Sequence, residues 1–509
     1  MENIKYDVAI IGTGLGALVS GAVLAKRGKK VLLVEQHSIP GGCATTFKRG
    51  GFKMEVGLHE IDGLYQQDSK VALFKNLGVF DNVKFIRAPE FYKVQSVDKK
   101  IEFTLKDNVA IAQKELCEMF PEEKKGIKKF FSTVTGIRMD INKISKYAKY
   151  KKFLFAFFPV ILPNMSKYIK HTLGNFLDKH IKNENLKIIL SANIAYYHDN
   201  PREISMVWFA SAQASYLIGG GYFIKGGAQN LSDYLAKVIK DNGGDFVYNS
   251  KVCEIVIDEE TRKTVGIKAK NKQGETAQYY SGRVIANCAI SSLYDMLPQN
   301  ESALLREKYG KFKSACSLLS VYIGFSKPLD KVGVKAYSTI ILDENLKTLD
   351  GFAANVRSGY KTCPMVFVDY GKVDSSMAPE GKTFASICLT DYIENWENLS
   401  DAEYKNRKKE VAEILLNRLE KEFPGIKDLV EIYEVGTPRT IKRYTGNPSG
   451  TVYGFAQIPG QMFFQRPIHK TPVKNLYISS AYSVPGGGFT GTILCGAMCA
   501  GTIIKEFKE

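Results

Sequence analysis

Val8-Ala9-Ile10-Ile11 is an unbroken apolar run that ends in Gly12-Thr13-Gly14-Leu15-Gly16-Ala17, and an apolar helical stretch follows. A second run, Val31-Leu32-Leu33-Val34, stops at Glu35. Short apolar runs closed by glycine predict strands buried on both faces, with a helix between them. The stretch that begins at Phe52 alternates and predicts a strand ending in glycine, at Gly57. Residues 71–135 read as mixed helix with a short β section over Val94 to Leu105. Leu231 to Asp241 has the apolar spacing of an amphipathic helix, stopped by Asn242-Gly243-Gly244. Phe246-Val247-Tyr248 and Val252 to Ile257 predict a strand pair returning to the first sheet, and Arg283 to Ala289 predicts another strand. Strands at Leu318 to Phe325 and Thr383 to Leu389 precede a charged helix over Ala402 to Phe423. Asn475 to Tyr482 is a strand feeding Pro485-Gly486-Gly487-Gly488-Phe489-Thr490-Gly491-Thr492 and a terminal helix of small residues.

The first turn carries chemistry. Gly12 makes the tight bend, Gly14 admits a pyrophosphate to the backbone, and Gly16 and Ala17 are small enough for the helix to pack on the sheet. The helix N-terminus offers free N–H groups to phosphates, and Glu35 stands at the spacing of a ribose ligand. A nicotinamide-binding domain would continue into another strand–helix–strand unit. This chain instead places Pro40-Gly41-Gly42-Cys43-Ala44-Thr45-Thr46-Phe47 after the carboxylate, and glycines there let backbone pass along an extended cofactor. FAD is therefore favoured over NAD. The Gly486-Gly487-Gly488 turn is a second anion-friendly helix start, suited to negative charge on a reduced flavin ring.

With 509 residues, 45% of them hydrophobic and 24% charged, the chain has room for two or three joined domains of ordinary globular composition. Lys and Arg number 70 against 53 Asp and Glu, an excess of 17 that suits an anionic surface or ligand or a lysine-rich proteome. The nine cysteines form no Cys-x-x-Cys pair, no metal-binding spacing is found, and a reduced cytoplasmic setting fits. Between Lys143 and Lys187, lysines interleave with Tyr147, Tyr150, Phe153, Phe155, Phe157, Phe158 and Tyr168. That mixture suits a peripheral membrane interface, with lysines snorkelling to phosphates, or a helix with a solvated basic face. Phe153 to Leu162 is too short to cross a bilayer, and no nucleic-acid module accompanies the charge.

Together these segments resemble the flavin amine oxidase and phytoene desaturase superfamily, and within it the carotenoid desaturases, carotenoid isomerases and retinol saturases. The resemblance covers nearly the whole chain. It is carried by Gly41 to Phe47, Val56-Gly57-Leu58-His59, Tyr222 to Gly227, Arg443-Tyr444-Thr445-Gly446 and Asn475 to Gly491. It implies an α/β fold: a Rossmann-type FAD-binding domain discontinuous in sequence (residues 1–70, 221–300 and 441–509), an interleaved α+β substrate domain (71–220 and 301–440), and a basic helical segment facing a membrane. Gly12, Gly14, Leu15, Gly16 and Ala17 would meet the pyrophosphate and Glu35 the ribose. Gly42 and Cys43 would lie along the dinucleotide, Val252 at the adenine, and Gly488, Phe489, Gly491 and Thr492 at the flavin. Many superfamily members place an aspartate after the last strand; here that stretch reads Ser480-Ala481-Tyr482.

The implied substrate is a long hydrophobic polyene with few polar handles, held in an apolar tunnel against the flavin. Desaturation, saturation and isomerisation need the same scaffold, and the electron donor or acceptor is not written in the motifs. His59 and Glu60 are candidate proton-handling residues, because their segment should abut the flavin; His59 could equally fix a backbone turn. Tyr222 and Arg443 are candidate substrate-orienting residues, and Arg443 could instead be an ion-pair partner. Cys43 reads as a small packing residue rather than a redox thiol. An amine- or porphyrinogen-type flavin oxidase and a non-redox prenyl-lipid carrier share the architecture and remain alternatives.

Overall fold

A computed structural model describes residues 6–146 and 157–508. Lys149, Lys151, Lys152, Tyr147, Tyr150, Phe153 and Phe155 of the basic aromatic segment lie outside the described residues.

The two apolar runs form adjacent parallel strands, Val8–Ile11 and Val31–Val34, at the centre of a five-stranded sheet. Strands Asp245–Val247, Val284–Ala286 and Leu476–Ile478 complete it, all parallel, so three distant parts of the chain build one sheet. Helices Leu15–Ala25, Gln229–Asp241 and Gly488–Glu506 cover one face. An antiparallel meander, described below, covers the other, so both faces are buried and the central strands are apolar throughout rather than alternating. Gly488–Glu506 is the one described helix long and apolar enough to cross a membrane, and its buried residues include Ile493, Cys495, Cys499 and Ile503. It packs on Leu15–Ala25 so tightly that a Cβ on Gly496 would fall 2.6 Å from the Gly16 carbonyl oxygen.

Ser250–Ile257, expected to join the parallel sheet, does not. It pairs antiparallel with Thr264–Asn271, which pairs with Thr276–Tyr280, and this three-stranded meander packs its own core over the opposite face. An apolar-rich strand pattern names no partner; hairpin-length connections between the three strands favour antiparallel pairing.

A seven-stranded sheet forms the second layer, in the order Val430–Gly436, Ser317–Phe325, Thr383–Asp391, Met365–Asp369, Ser338–Leu342, Tyr92–Ser96 and Glu102–Leu105. Val411, Leu415 and Leu419 of the long helix Asp401–Glu422 cover one face. A Ser400–Glu403 capping box starts that helix. Helices between Lys124 and Gly219 fill the opposite side, with Met206–Gly219 packed on Lys124–Lys146. A small sheet of Ile61–Asp62, Gly221–Ile224 and Phe85–Arg87 joins the layers.

The strand expected from Phe52 to Gly57 stops at Glu55. Phe52–Glu55 pairs with Thr46–Arg49, but Val56 to Glu60 leaves the ladder. Tyrosine hydroxyls replace the missing strand partner. Tyr322 donates to the Val56 carbonyl (3.1 Å), Tyr370 to Leu58 (3.1 Å), Tyr337 to His59 (2.5 Å) and Tyr216 to Glu60 (3.3 Å). A buried carbonyl must be paired with something; three tyrosines on or beside the second sheet and one from the helix Met206–Gly219 do it here.

Candidate active site

A cavity of about 1560 Å³ runs along the carboxyl ends of the parallel strands. Gly12, Gly14, Leu15, Gly16, Glu35, Gly42, Cys43, Val252, Gly488, Phe489, Thr492 and Arg443 all line it. Ala17 and Gly491 do not. Ala17 is fully buried inside the first helix, and Gly491 is needed for packing, since a Cβ there would fall 2.4 Å from the Gly486 carbonyl oxygen.

Glycines make the cavity. A Cβ on Gly14 would lie 2.6 Å from Asn287 Oδ1, and one on Gly16 would lie 2.4 Å from the Ser479 carbonyl oxygen. Asn287 is the residue that sequence reasoning missed. It ends the strand Val284–Ala286, donates to the Ser479 carbonyl, and so locks three segments together behind the glycine turn. Ser479 Oγ donates to the Gly16 carbonyl at 2.9 Å. The helices starting at Leu15 and Gly488 both lack a capping side chain, so their first N–H groups are left for a ligand.

Glu35 is buried and first serves its own turn. Oε2 accepts from Thr13 N (2.9 Å) and Thr13 Oγ1 (2.6 Å), and Oε1 accepts from His37 N (2.8 Å). A carboxylate has about four acceptor sites, which leaves one for a ribose hydroxyl. Burial pushes the Cys43 thiol up to about 11, which makes it an inert packing group beside the cavity. Arg443 stands exposed at the cavity mouth, beside the Tyr444 ring that packs edge-on against His37.

His59 and Glu60 lie just behind this cavity. Gly57 lines it, and Asp62 accepts from Thr490 in the first turn of the terminal helix, so the intervening residues are pinned between the two. His59 packs edge-on against Tyr196 (5.0 Å between ring centroids) and Tyr370 (6.2 Å). Its Nδ1 has no hydrogen-bond partner, and burial lowers the imidazole to about 4, so it is neutral near pH 7. Glu60 Oε2 is also unpartnered; burial first, then Glu90, Asp107 and Asp62, raises its carboxyl well above the ordinary range. His59, Glu60, Tyr196, Tyr216 and Tyr453 are only half-buried, yet burial dominates the titration of each. That combination marks an internal surface. Tyr453 also lines the large cavity, which brings this group of side chains to its wall.

Tyr222 is a correction. It sits on the small sheet, in register with Ile61 and Arg87, and lines a separate surface pocket with Leu64 and Phe85 rather than the large cavity.

Beneath the first turn of the terminal helix lies a buried ionic cluster that the sequence did not announce. Lys70 Nζ is 2.8 Å from Asp68 and 3.7 Å from Asp62, and Arg138 reaches Asp68 at 3.3 Å and Tyr65 Oη at 2.7 Å.

The chain belongs to the flavin containing amine oxidoreductase family, whose model matches residues 18–504. It is an FAD-dependent oxidoreductase in its general class. It is 28% identical to prolycopene isomerase 1, chloroplastic, of an Oncidium hybrid cultivar, over 99% of this chain and 85% of that protein. It is 26% identical to the all-trans-retinol 13,14-reductase of Danio rerio, over 97% of this chain and 85% of that protein. Among solved structures it resembles an oxidoreductase from Methanosarcina mazei, with a TM-score of 0.62 and 16% identity over 98% of this chain and 99% of that one; this likeness is one of fold.

The site fits FAD. The glycine cradle, two uncapped helix starts and the remaining acceptor of Glu35 stand along one continuous cavity. The Leu15 helix start and Gly42 would hold the pyrophosphate, Val252 the adenine, and the Gly488 helix start the flavin end.

Proposed function

We propose that this protein acts on carbon–carbon double bonds of a long hydrophobic polyene (a carotenoid, retinoid or related isoprenoid) by desaturation, saturation or isomerisation. The observation that carries the reading is the tyrosine-walled interior behind the flavin end, with one unpartnered carboxyl and one neutral imidazole in it. FAD, when bound, supplies the capacity to accept or donate a hydride. The protein's residues do the rest. Tyr196, Tyr216 and Tyr453 offer ring faces to a flat conjugated chain and exclude water. Glu60, held protonated, is the group able to deliver a proton to carbon, and His59, held neutral, places no repelling charge beside it. An ammonium substrate would instead call for an ionised carboxylate, which favours the polyene over the amine-oxidase alternative. The glycine cradle disfavours a cofactor-free lipid carrier.

Attachment to a membrane, on its cytoplasmic side, belongs to the same proposal. Phe157 (49% exposed) precedes the helical turn Phe158–Ile161, Val160 (77% exposed) lies within it, and the adjoining turns expose Lys167 and Lys170. Apolar tips rimmed by lysine suit an anionic headgroup layer.

The test is direct. Holoenzyme is given prolycopene and all-trans-retinol, oxidised and then anaerobically reduced, and products are weighed by mass spectrometry. Two hydrogens gained, two lost, or altered retention at unchanged mass identifies the reaction. Reduction of the flavin by simple amines with no polyene turnover would establish the amine-oxidase alternative, and a colourless lipid-loaded protein would establish the carrier.

A further inference from the structure

A buried acid that delivers a proton must get it back. Glu60 faces the carboxylates of Glu90, Asp107 and Asp62 and the phenols of Tyr196, Tyr216 and Tyr337; among the described residues, no cation is among the groups that set its charge. The anion left after proton delivery is unsolvated and surrounded by like charge. It cannot persist, so a supply from solvent must exist.

The wall beside Glu60 is thin at Gly220-Gly221. A Cβ on Gly221 would fall 1.8 Å from Glu60 Oε2, so the carboxyl lies directly against bare backbone. A Cβ on the neighbouring Gly220, which has φ +77°, would lie 2.9 Å from Asp107 Oδ2 and 3.0 Å from Arg87 Nε. The interior acid and the Arg87–Asp107 ion pair (2.8 Å) are thus separated by a single strand of backbone without side chains. Arg87 is 57% exposed and Asp107 15%, so the pair opens to water. Of the other two near carboxylates, Glu90 is more deeply buried and accepts from the Tyr337 N–H at 2.6 Å, and Asp62 is held by Thr490 and Lys70.

We propose that Asp107 is the solvent-side entry of a proton route that recharges Glu60 across the Gly220-Gly221 wall. The inference rests on the acid role proposed for Glu60. As the Glu60 O–H bond breaks, a C–H bond forms on the polyene; the Glu60 carboxylate then takes a proton from the Asp107 carboxyl, and Asp107 takes one from water. No electrons move in this relay. Asp107 acts through Glu60 and touches no substrate.

The experiment needs no turnover. In holoenzyme without polyene, the infrared carboxyl band that disappears in Glu60→Gln is followed after transfer into D₂O. Asp107→Asn slows its deuterium shift by about tenfold or more, and Asp107→Glu restores it to within about threefold of wild type. Arg87→Gln, which breaks the same ion pair but keeps the carboxylate, leaves the rate within about threefold. Exchange unchanged in Asp107→Asn, slowed only in Glu90→Gln, or slowed equally in Arg87→Gln overturns the route, as does a wild-type protein with no such band. A polyene assay run alongside separates this failure from failure of the functional reading.

Discussion

Gly16→Ala tests the cofactor cradle at its tightest contact. The added methyl would fall 2.4 Å from the Ser479 carbonyl oxygen and 3.0 Å from Asn287 Nδ2, against ordinary van der Waals contact beginning at 3.4 Å. The main obstacle is backbone of the strand-to-loop junction, which cannot rotate away. The first turn of the helix must therefore retreat by about 1 Å. Overpacking of this kind costs roughly 1–3 kcal/mol. The Ser479 Oγ bond to the Gly16 carbonyl, now 2.9 Å, is stretched by the same movement. The N–H groups of the Leu15 helix start, assigned to the pyrophosphate, move with it. If that whole displacement appears in binding, the FAD dissociation constant rises by roughly 5- to 150-fold. The assay is titration of apoprotein with FAD by quenching of flavin fluorescence, with thermal unfolding of both forms. Gly501→Ala is the matched control: like Gly16 it is a helical glycine without a positive φ, but nothing lies within 4 Å of its added methyl. A Gly16→Ala protein that binds FAD within twofold of wild type refutes the assigned cradle.

Three further outcomes follow from buried polar groups. Tyr337→Phe removes the 2.5 Å bond to the His59 carbonyl in a fully buried place, and destabilises the fold by about 1–3 kcal/mol in denaturant titration, whereas Tyr444→Phe at a half-exposed ring has little effect. Lys70→Met leaves Asp68 and Asp62 with Arg138 alone and costs about 3–5 kcal/mol, while the double variant with Asp68→Asn recovers part of it; equal stabilities for the single and double variants would refute the pairing. Burial raises the Glu55 carboxyl from 4.5 to about 7, so the folded state holds this proton more tightly than the unfolded chain. Its stabilisation is fully present below the ordinary carboxyl range and is lost as pH rises through about 7; Glu55→Gln flattens that slope, and parallel stability–pH profiles would refute it.

Local chemistry made half of this molecule legible and long-range chemistry hid the other half. Val8 to Ile11 and Val31 to Val34 declare themselves because strands buried on two faces need unbroken apolar runs. The cavity glycines declare themselves because close approach tolerates nothing else. Ser250 to Ile257 misleads, since one strand's pattern fits either a parallel sheet or an antiparallel meander. The segment after Glu55 misleads more deeply. Its alternation is real, but its partners are tyrosine hydroxyls 156 to 312 residues away, and no spacing signals them. Asn287 closes the glycine turn from across the sheet and is equally silent in sequence.

The contact between Asp62 and Thr490 joins the two halves of the site across 428 residues. It brings a carboxylate to the first turn of the helix assigned to the flavin end, where an unpaired negative charge would oppose the positive end of the helix dipole. Lys70 and Arg138 prevent that. Two carboxylates, Asp62 and Asp68, meet two cations in one buried cluster, and proximity to Lys70 helps hold the Asp62 carboxyl below its usual range. The cluster is therefore neutral as a whole and leaves the field of the helix start in place. Its contribution is geometric. Asp62 is fixed at one end of the segment that carries Glu60 and His59, while Gly57 touches the cofactor cavity at the other. A charged residue at this junction is tolerable because its compensation is built in, and a hydrogen bond to an ionised group is stronger than one to a neutral group. That explains why an expensive buried ion cluster stands where an apolar contact would have been simpler.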